Sequence, residues 1–213
     1  MFKIRLTMYI DLLGLSGVRI QSQDNIILLS PPSEESDLRN VRYKADIVVL
    51  GKSDDKINVA PNDENQKIFT ISGPGEYEAK GVFFYCLTNG AGKGTKSILT
   101  SLTIEDIVVT HLGGLERPLT DKELELFEGT DVLLVPVGGN DVLSPEKAAD
   151  LVGDIEPRVV IPMHGAKTGL KTRYRDVTEF LKQMGAKTEP LEKVKIIKKD
   201  LPQEGMDIIY LLP

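Results

Sequence analysis

The sequence predicts an α/β fold in which two β-sheets are faced by helices, a four-layer αββα sandwich. Three observations carry this. The first half of the 213-residue chain is a series of short β-rich runs with no sustained helical periodicity. The second half alternates strand and helix patterns. Two of its runs, Val132–Pro136 and Val159–Met163, are apolar at every position, as strands buried on both faces are.

The elements follow in order. Residues 3–10, 18–21, 26–29 and 47–50 read as strands, broken at Gly14–Gly17, at Gln23–Asn25 and at the pair Pro31-Pro32. Residues 67–72 and 81–87 add two more, separated by Gly73-Pro74-Gly75-Glu76. After a loop over residues 88–96, the runs 98–102 and 107–110 suggest a hairpin turning at Thr103–Asp106. Thr120 is a candidate N-cap for a helix over 121–127, with Glu123 at the third helical position as in a capping box. Ser144-Pro145-Glu146 opens the next helix, running to Gly153, with proline at the first helical position. The strand 159–163, a helix over 174–184 ending at Gly185, and closing strands at 194–198 and 207–211 complete the pattern. One domain over residues 1–213 accounts for this length, with a β-rich half over about 1–112 and an α/β half over about 113–213.

Composition narrows function. There are 26 Lys+Arg against 32 Asp+Glu, a net charge of −6, so the clustered positive charge that phosphate-backbone binding needs is missing and no nucleic-acid partner is expected. A single cysteine allows no intrachain disulfide, and neither a membrane span nor a signal peptide is legible, so a cytoplasmic protein without membrane contact is expected. Two histidines in all exclude any site that needs three imidazoles from one chain.

Three segments look like chemistry and read better as structure. Asn89–Ser97 resembles a phosphate loop, but Leu87 stands where its first glycine belongs, and a strand pattern rather than a helix follows. Gly14-Leu15-Ser16-Gly17 approaches a nucleophile elbow, but position 18 is valine and no helix follows, so it reads as a turn. Cys86 lies in an apolar strand and reads as a small buried hydrophobe.

Both histidines end apolar strand runs, His111 after Ile107–Thr110 and His164 after Val159–Met163, and each is followed closely by glycine. Ends of parallel strands are where sites gather, because polar loops there sit on a rigid sheet.

Seven segments in order resemble the metallo-β-lactamase fold, in its small metal-dependent hydrolase subgroup related to the ascorbate-6-phosphate lactonases. They are Leu13–Ile20, Ile26–Pro32 (with Ser30 where aspartate is usual), Ala45–Leu50, Gly73–Glu78, Thr110–Leu115, Asp131–Gly139 and Ile161–His164. The resemblance implies an αββα sandwich of metallo-β-lactamase type. Its active members hold two metal ions, usually zinc, on a His-x-His-x-Asp-His motif, a later histidine, a bridging aspartate and a final histidine. Such a centre needs several neutral imidazoles and carboxylates with one position left open for water.

Carried onto this chain, the first two motif histidines fall on Gly51 and Ser53, the aspartate on Asp55, and the third histidine on Lys56; the bridging aspartate falls on Gly114. His111 and His164 remain. The expected vestigial pocket therefore comprises Gly51, Lys52, Ser53, Asp54, Asp55, Lys56, His111, Gly114 and His164. The leading expectation is a member with no metal cofactor, serving as a binding or assembly module for an unidentified protein or a small anionic ligand, with a homo-oligomer possible. One alternative is a hydrolase of phosphoesters, lactones or thioesters with a single zinc or manganese at Asp55, His111 and His164. Another is an anion site in which Lys52, Lys56 and the histidines converge on the vacated pocket.

Overall fold

The computed structural model describes residues 7–22, 24–38, 41–89, 97–167, 170–171 and 173–213. Its strands are β1 (Met8–Gly14), β2 (Gly17–Gln21), β3 (Ile26–Leu29), β4 (Tyr43–Ala45), β5 (Ile47–Val49), β6 (Val59–Pro61), β7 (Phe69–Ile71), β8 (Gly75–Ala79), β9 (Val82–Thr88), β10 (Ile98–Ile104) and β11 (Ile107–His111). Then come α1 (Asp121–Leu126), β12 (Val132–Pro136), α2 (Pro145–Ile155), β13 (Val159–Met163), α3 (Val177–Gln183), β14 (Val194–Ile196), a 3₁₀ turn (Lys198–Asp200) and β15 (Asp207–Ile208).

The described strands form a six-stranded sheet ordered β14-β1-β2-β3-β5-β7, a seven-stranded sheet ordered β15-β13-β12-β11-β10-β9-β8, and a ribbon of β4 and β6. The two large sheets face each other. Ile10, Ile20, Ile27 and Ile47 from the first meet Val109, Leu134 and Ile161 from the second in one apolar layer. The alternate residues of β12 and β13, Leu133, Val135 and Val160, point the other way and pack under Phe127, Leu151, Val152 and Phe180 of the helical layer. Both faces of these strands are thus covered, which is why they are apolar throughout. Outside the first sheet, Leu28 and Val48 pack with Ala45 and Tyr43 of the β4–β6 ribbon. Among the described residues all three helices lie on the second sheet's side, so this outer layer is a β-ribbon.

Local chemistry sets the element ends. Thr120 and Glu123 form the reciprocal capping box of α1, and Ser144 caps α2 with Pro145 at its start. The β10–β11 turn is tighter than expected, Glu105 and Asp106, both with positive φ (54° and 61°), the backbone a two-residue hairpin of this hand requires. Helix α3 starts at Val177 rather than Tyr174 because the Asp176 carboxylate accepts from the Thr178 N–H and fixes the cap there. The first strand runs from Met8 to Gly14, further into the expected turn than predicted, and residues 3–6 of the predicted strand lie outside the described residues. So does Gly90–Lys96, the glycine-rich part of the phosphate-loop look-alike. Gly73–Glu78, read as a separator and family segment, supplies β8 on the sheet edge. Cys86 is buried, as expected, with its thiol pushed up to about 11 by burial. Among the described residues no helix is long and apolar enough to cross a membrane.

Candidate functional site

Strands β11, β12 and β13 run parallel, with His111 beside Leu134 and Pro136 beside Met163. Their C-terminal ends therefore share one edge of the second sheet, and the loops after them begin there. In the first sheet, the β1–β2 turn and the ends of β3 and β5 also share an edge, since Val18 pairs with Leu29 and Leu29 with Val49. The two edges are tied directly. The His164 N–H donates to the Leu15 carbonyl at 3.1 Å. Between them opens a cleft of about 350 Å³, at the small end of the usual range for ligand sites.

Ser16, at the tip of the β1–β2 turn, is the hub of this junction. Its hydroxyl lies 2.6 Å from His164 Nδ1 and 3.0 Å from the Gly113 carbonyl. Its own carbonyl accepts from His111 Nε2 at 2.8 Å. A carbonyl only accepts, so that nitrogen carries a proton. His111 is 1% exposed and its pKa is depressed to about 4, chiefly by burial, against the opposing pull of the Ser16 carbonyl. His164 is lowered to about 4 by burial as well, with the Asp141 charge working in the other direction. The His164 ring stands edge-on to Tyr174 at 4.7 Å between centroids. Its Nε2 is buried with no hydrogen-bond partner among the described residues. The residue has a φ of 59°, a left-handed backbone that is uncommon outside glycine but that histidine adopts more readily than most side chains. Gly138 is a close neighbour: a Cβ there would sit 2.1 Å from the His164 carbonyl oxygen.

The expected pocket residues divide. Gly51, Lys52, Asp55, Gly114 and His164 line the cleft. His111 lies beneath it, its Nε2 spent on Ser16. Ser53, Asp54 and Lys56 are exposed and outside the lining. The reason is local: the Lys56 carbonyl accepts from the Glu34 N–H and Ile57 bridges Ser33, which draws the chain away after Asp55. The cationic recess expected from Lys52 and Lys56 is therefore corrected. Only Lys52 of the pair lines the cleft, together with the carboxylates Asp55, Glu116 and Asp141. Asp55 accepts from the Lys52 N–H at 2.9 Å, yet burial still holds its pKa above the usual carboxylate range.

The residues present do not fit the binuclear metal centre. Among the described residues no group of three or more His, Cys, Asp or Glu is placed to hold a metal ion. Asp55, His111 and His164 are not gathered into a ligand set, and the proton and hydrogen bond on His111 Nε2 take that nitrogen out of use as a ligand. Sequence reasoning did not place Ser16, Ser36, Asn89, Ser97, Glu116 or Asp141 in the site, though all of them line the cleft. Ser16, in the Gly14–Gly17 turn, and Asn89 and Ser97, at the ends of the phosphate-loop look-alike, lie in segments the sequence marks.

Comparison with known proteins agrees with this architecture. Residues 9–164 match a β-lactamase superfamily domain. A UPF0173 protein of Pyrococcus furiosus is 36% identical over 101 residues, 47% of this chain and 43% of that protein. A Pyrococcus abyssi counterpart is matched over 46% of its length, so the match spans less than half of each. A Lysinibacillus sphaericus protein named as a UPF0173 metal-dependent hydrolase is 25% identical over 71% of this chain and 82% of its own. Two solved structures share the fold. A Thermotoga maritima protein of the metallo-β-lactamase superfamily superposes with a TM-score of 0.76 at 24% identity, covering 96% of this chain and 100% of that one. A metallo hydrolase of Ignicoccus hospitalis gives 0.60 at 20% identity, covering 89% and 98%.

Proposed function

The chain belongs to the β-lactamase superfamily, and on that premise we propose that its cleft is the site of a hydrolytic reaction on a small molecule, carried by Ser16 and His164. The observation that supports this reading is the 2.6 Å contact between the Ser16 hydroxyl and His164 Nδ1 inside the cleft. A hydroxyl within hydrogen-bond reach of an imidazole is the arrangement of an activated nucleophile. As Ser16 Oγ forms its bond to an ester carbonyl carbon, its proton passes to His164 Nδ1. The same proton then leaves with the alcohol as the ester bond breaks, and water completes the cycle on the acyl-serine. With a pKa of about 4, His164 is neutral at physiological pH, and it accepts at Nδ1 as the Nε2-protonated tautomer once the Ser16 proton turns from the Gly113 carbonyl to the ring. The same depression makes it a weak base, so the turnover expected is slow.

The relatives' names, metal-dependent hydrolase, support the reaction class. They lend no support to the non-catalytic binding or assembly role that the missing ligands suggested. Their metal dependence also supports a second reading, in which we place one assisting ion, zinc or manganese, at His164 Nε2, the buried nitrogen without a partner among the described residues. No ligand set for such an ion is present among the described residues, and no step is derived through it.

One experiment tests both readings. Purified protein, untreated and chelator-treated, is assayed on ester, lactone, thioester and phosphoester panels beside Ser16→Ala and His164→Ala. Turnover that survives chelation and is lost in both variants is expected. Turnover abolished by chelation and restored by Zn²⁺ or Mn²⁺ supports the second reading, and folded protein with no turnover on any class refutes both.

A further inference from the structure

The His164 ring is held by hydrogen bonding at one nitrogen only. Its Nδ1 lies 2.6 Å from the Ser16 hydroxyl, and its Nε2 has no hydrogen-bond partner among the described residues. The torsion that turns a histidine ring is broad and roughly two-fold, so a single hydrogen bond leaves the ring loosely set. In a nucleophile–base pair the base is normally oriented by a third group. The Asp141 carboxylate does not fill that place, since it acts on the ring by charge, without a hydrogen bond to Nε2.

Tyr174 does fill it. The two rings stand 4.7 Å apart between centroids at an interplanar angle of 76°, an edge-to-face arrangement that aromatic rings favour. Tyr174 is half-buried in the cleft wall, and both of its chain neighbours are tied to the loop after β12. The Asn140 side-chain amide donates to the Arg173 carbonyl, and the Arg175 N–H donates to the Gly138 carbonyl at 2.7 Å. The Arg175 guanidinium then reaches Glu146 of α2 at 2.9 and 3.0 Å and Glu179 of α3 at 2.7 Å. Gly138 supplies the room. A Cβ there would stand 2.1 Å from the His164 carbonyl oxygen and 2.9 Å from Tyr174 Cδ1, so both residues lie against the same bare stretch of backbone.

We propose that Tyr174 is the positioning residue of this site: its ring holds the His164 imidazole so that Nδ1 faces the Ser16 hydroxyl. The proposal rests on the reading of Ser16 and His164 as the reacting pair and deepens it by naming what keeps them aligned. Tyr174 acts through His164 and takes no part in bond making. An imidazole at the wrong angle still admits substrate to the cleft but takes the Ser16 proton poorly, so its cost falls on kcat rather than on KM.

The experiment joins kinetics on a p-nitrophenyl ester to ring-nitrogen NMR spectra of the imidazoles, on the full chain, for wild type, Tyr174→Phe and Tyr174→Ala. The chain has two histidines, so His164→Gln assigns the His164 signals, and those of His111 report on the surrounding fold. In Tyr174→Ala the two His164 nitrogen resonances are expected to draw together as the ring loses its fixed setting, while those of His111 stay in place. In the same variant kcat is expected to fall about tenfold or more, with KM within about twofold of wild type. Tyr174→Phe keeps the ring and is expected to match wild type in both readouts. Unmoved His164 resonances in Tyr174→Ala, a loss carried by KM alone, or a phenylalanine variant no better than alanine overturns the proposal. Displacement of the His111 resonances as well would mark a merely structural role and overturn it too. Wild-type protein without turnover, whose His164 resonances respond as expected, would defeat the hydrolytic reading and leave the ring-holding role standing. Turnover lost in Ser16→Ala yet unchanged in Tyr174→Ala would do the reverse.

Discussion

The two histidines make stability depend on pH in a window that few other groups share. Burial holds both near a pKa of about 4 in the folded chain, against the ordinary 6.5. Above about pH 6.5 the imidazoles are neutral in both states and contribute nothing. Below it the unfolded chain takes up protons that the folded chain refuses, so stability falls with falling pH and levels off only near pH 4. Each gap of about 2.5 pH units corresponds to about 3 kcal/mol at full extent, and about 2 kcal/mol per histidine should be lost by about pH 5. The two together remove about 4 kcal/mol, a large share of the roughly 5–15 kcal/mol typical of a domain. Glu123, held to about 2 by the Arg117 guanidinium, begins to act only below its ordinary 4.5 and stays outside this window. Asp55 works in the opposite direction, because its raised pKa favours the folded state as pH falls. Guanidinium unfolding between about pH 7.5 and 5 reads the total, with a flat region down to about 6.5 followed by the loss. His164→Gln should roughly halve that loss. A wild-type change under about 1 kcal/mol across the range would refute the assignment of both histidines as buried neutral groups.

Glycine positions supply further tests. Gly138→Ala places a Cβ 2.1 Å from the His164 carbonyl and 2.9 Å from Tyr174 Cδ1. Backbone cannot turn aside, so a cost of about 1–3 kcal/mol is expected, read as a melting temperature lower by roughly 3–10 °C. Gly153→Ala, inside α2 with no atom within 4 Å of the new Cβ, should instead raise it by roughly 1–3 °C, the gain of alanine over glycine in a helix. The two positions left without side chains in the metal motif should also differ. At Gly114 the nearest atom to a new Cβ is Val142 Cγ1 at 4.0 Å, whereas at Gly51 it meets Asp55 Oδ2 at 3.1 Å and Ser30 Cβ at 3.3 Å. Gly114→Asp should change the melting temperature by no more than about 2 °C, while Gly51→His lowers it by more; equal effects would contradict the crowding described.

Much of the fold was legible because burial writes itself into pattern. Val132–Pro136, Val159–Met163 and Ile26–Leu29 agree with the sequence reading residue for residue, since each sits in a packed sheet that tolerates only apolar side chains over most of its length. Tyr43–Ala45 and Val59–Pro61 escaped because a three-residue parallel pair has no period to read, and its partners are 16 residues apart. Gly75–Ala79 escaped for a different reason. It is an edge strand with Glu76 and Glu78 exposed, and its opening glycines and proline carry turn chemistry. For the cleft, the histidines stood out by position, and Asn89 and Ser97 bound the segment that resembles a phosphate loop, but Ser36 has no local mark. Their place in one cleft follows only once the β9–β10 pairing and the end of β3 are brought to the same edge.

The two histidines have a structural role that does not require a metal. Four hydrogen-bonding contacts meet at the two-residue tip Leu15–Ser16: the His164 N–H to the Leu15 carbonyl, His111 Nε2 to the Ser16 carbonyl, and the Ser16 hydroxyl to both His164 Nδ1 and the Gly113 carbonyl. They fasten the hairpin tip of the first sheet to the strand ends of the second, at the open edge of a sandwich whose interior is mainly apolar. An imidazole suits this post, because it offers a directed donor on one nitrogen while staying neutral when buried. A lysine would bring a charge into that space. The positions onto which the resemblance carries the other ligands, Gly51, Ser53, Lys56 and Gly114, make no side-chain hydrogen bond to this tip among the described residues, whereas both histidines do. The hydrogen bonds to Ser16 thus give the two imidazoles a structural role that is independent of catalysis. The contact from Ser16 Oγ to His164 Nδ1 is the one place where that fastening and the proposed chemistry coincide.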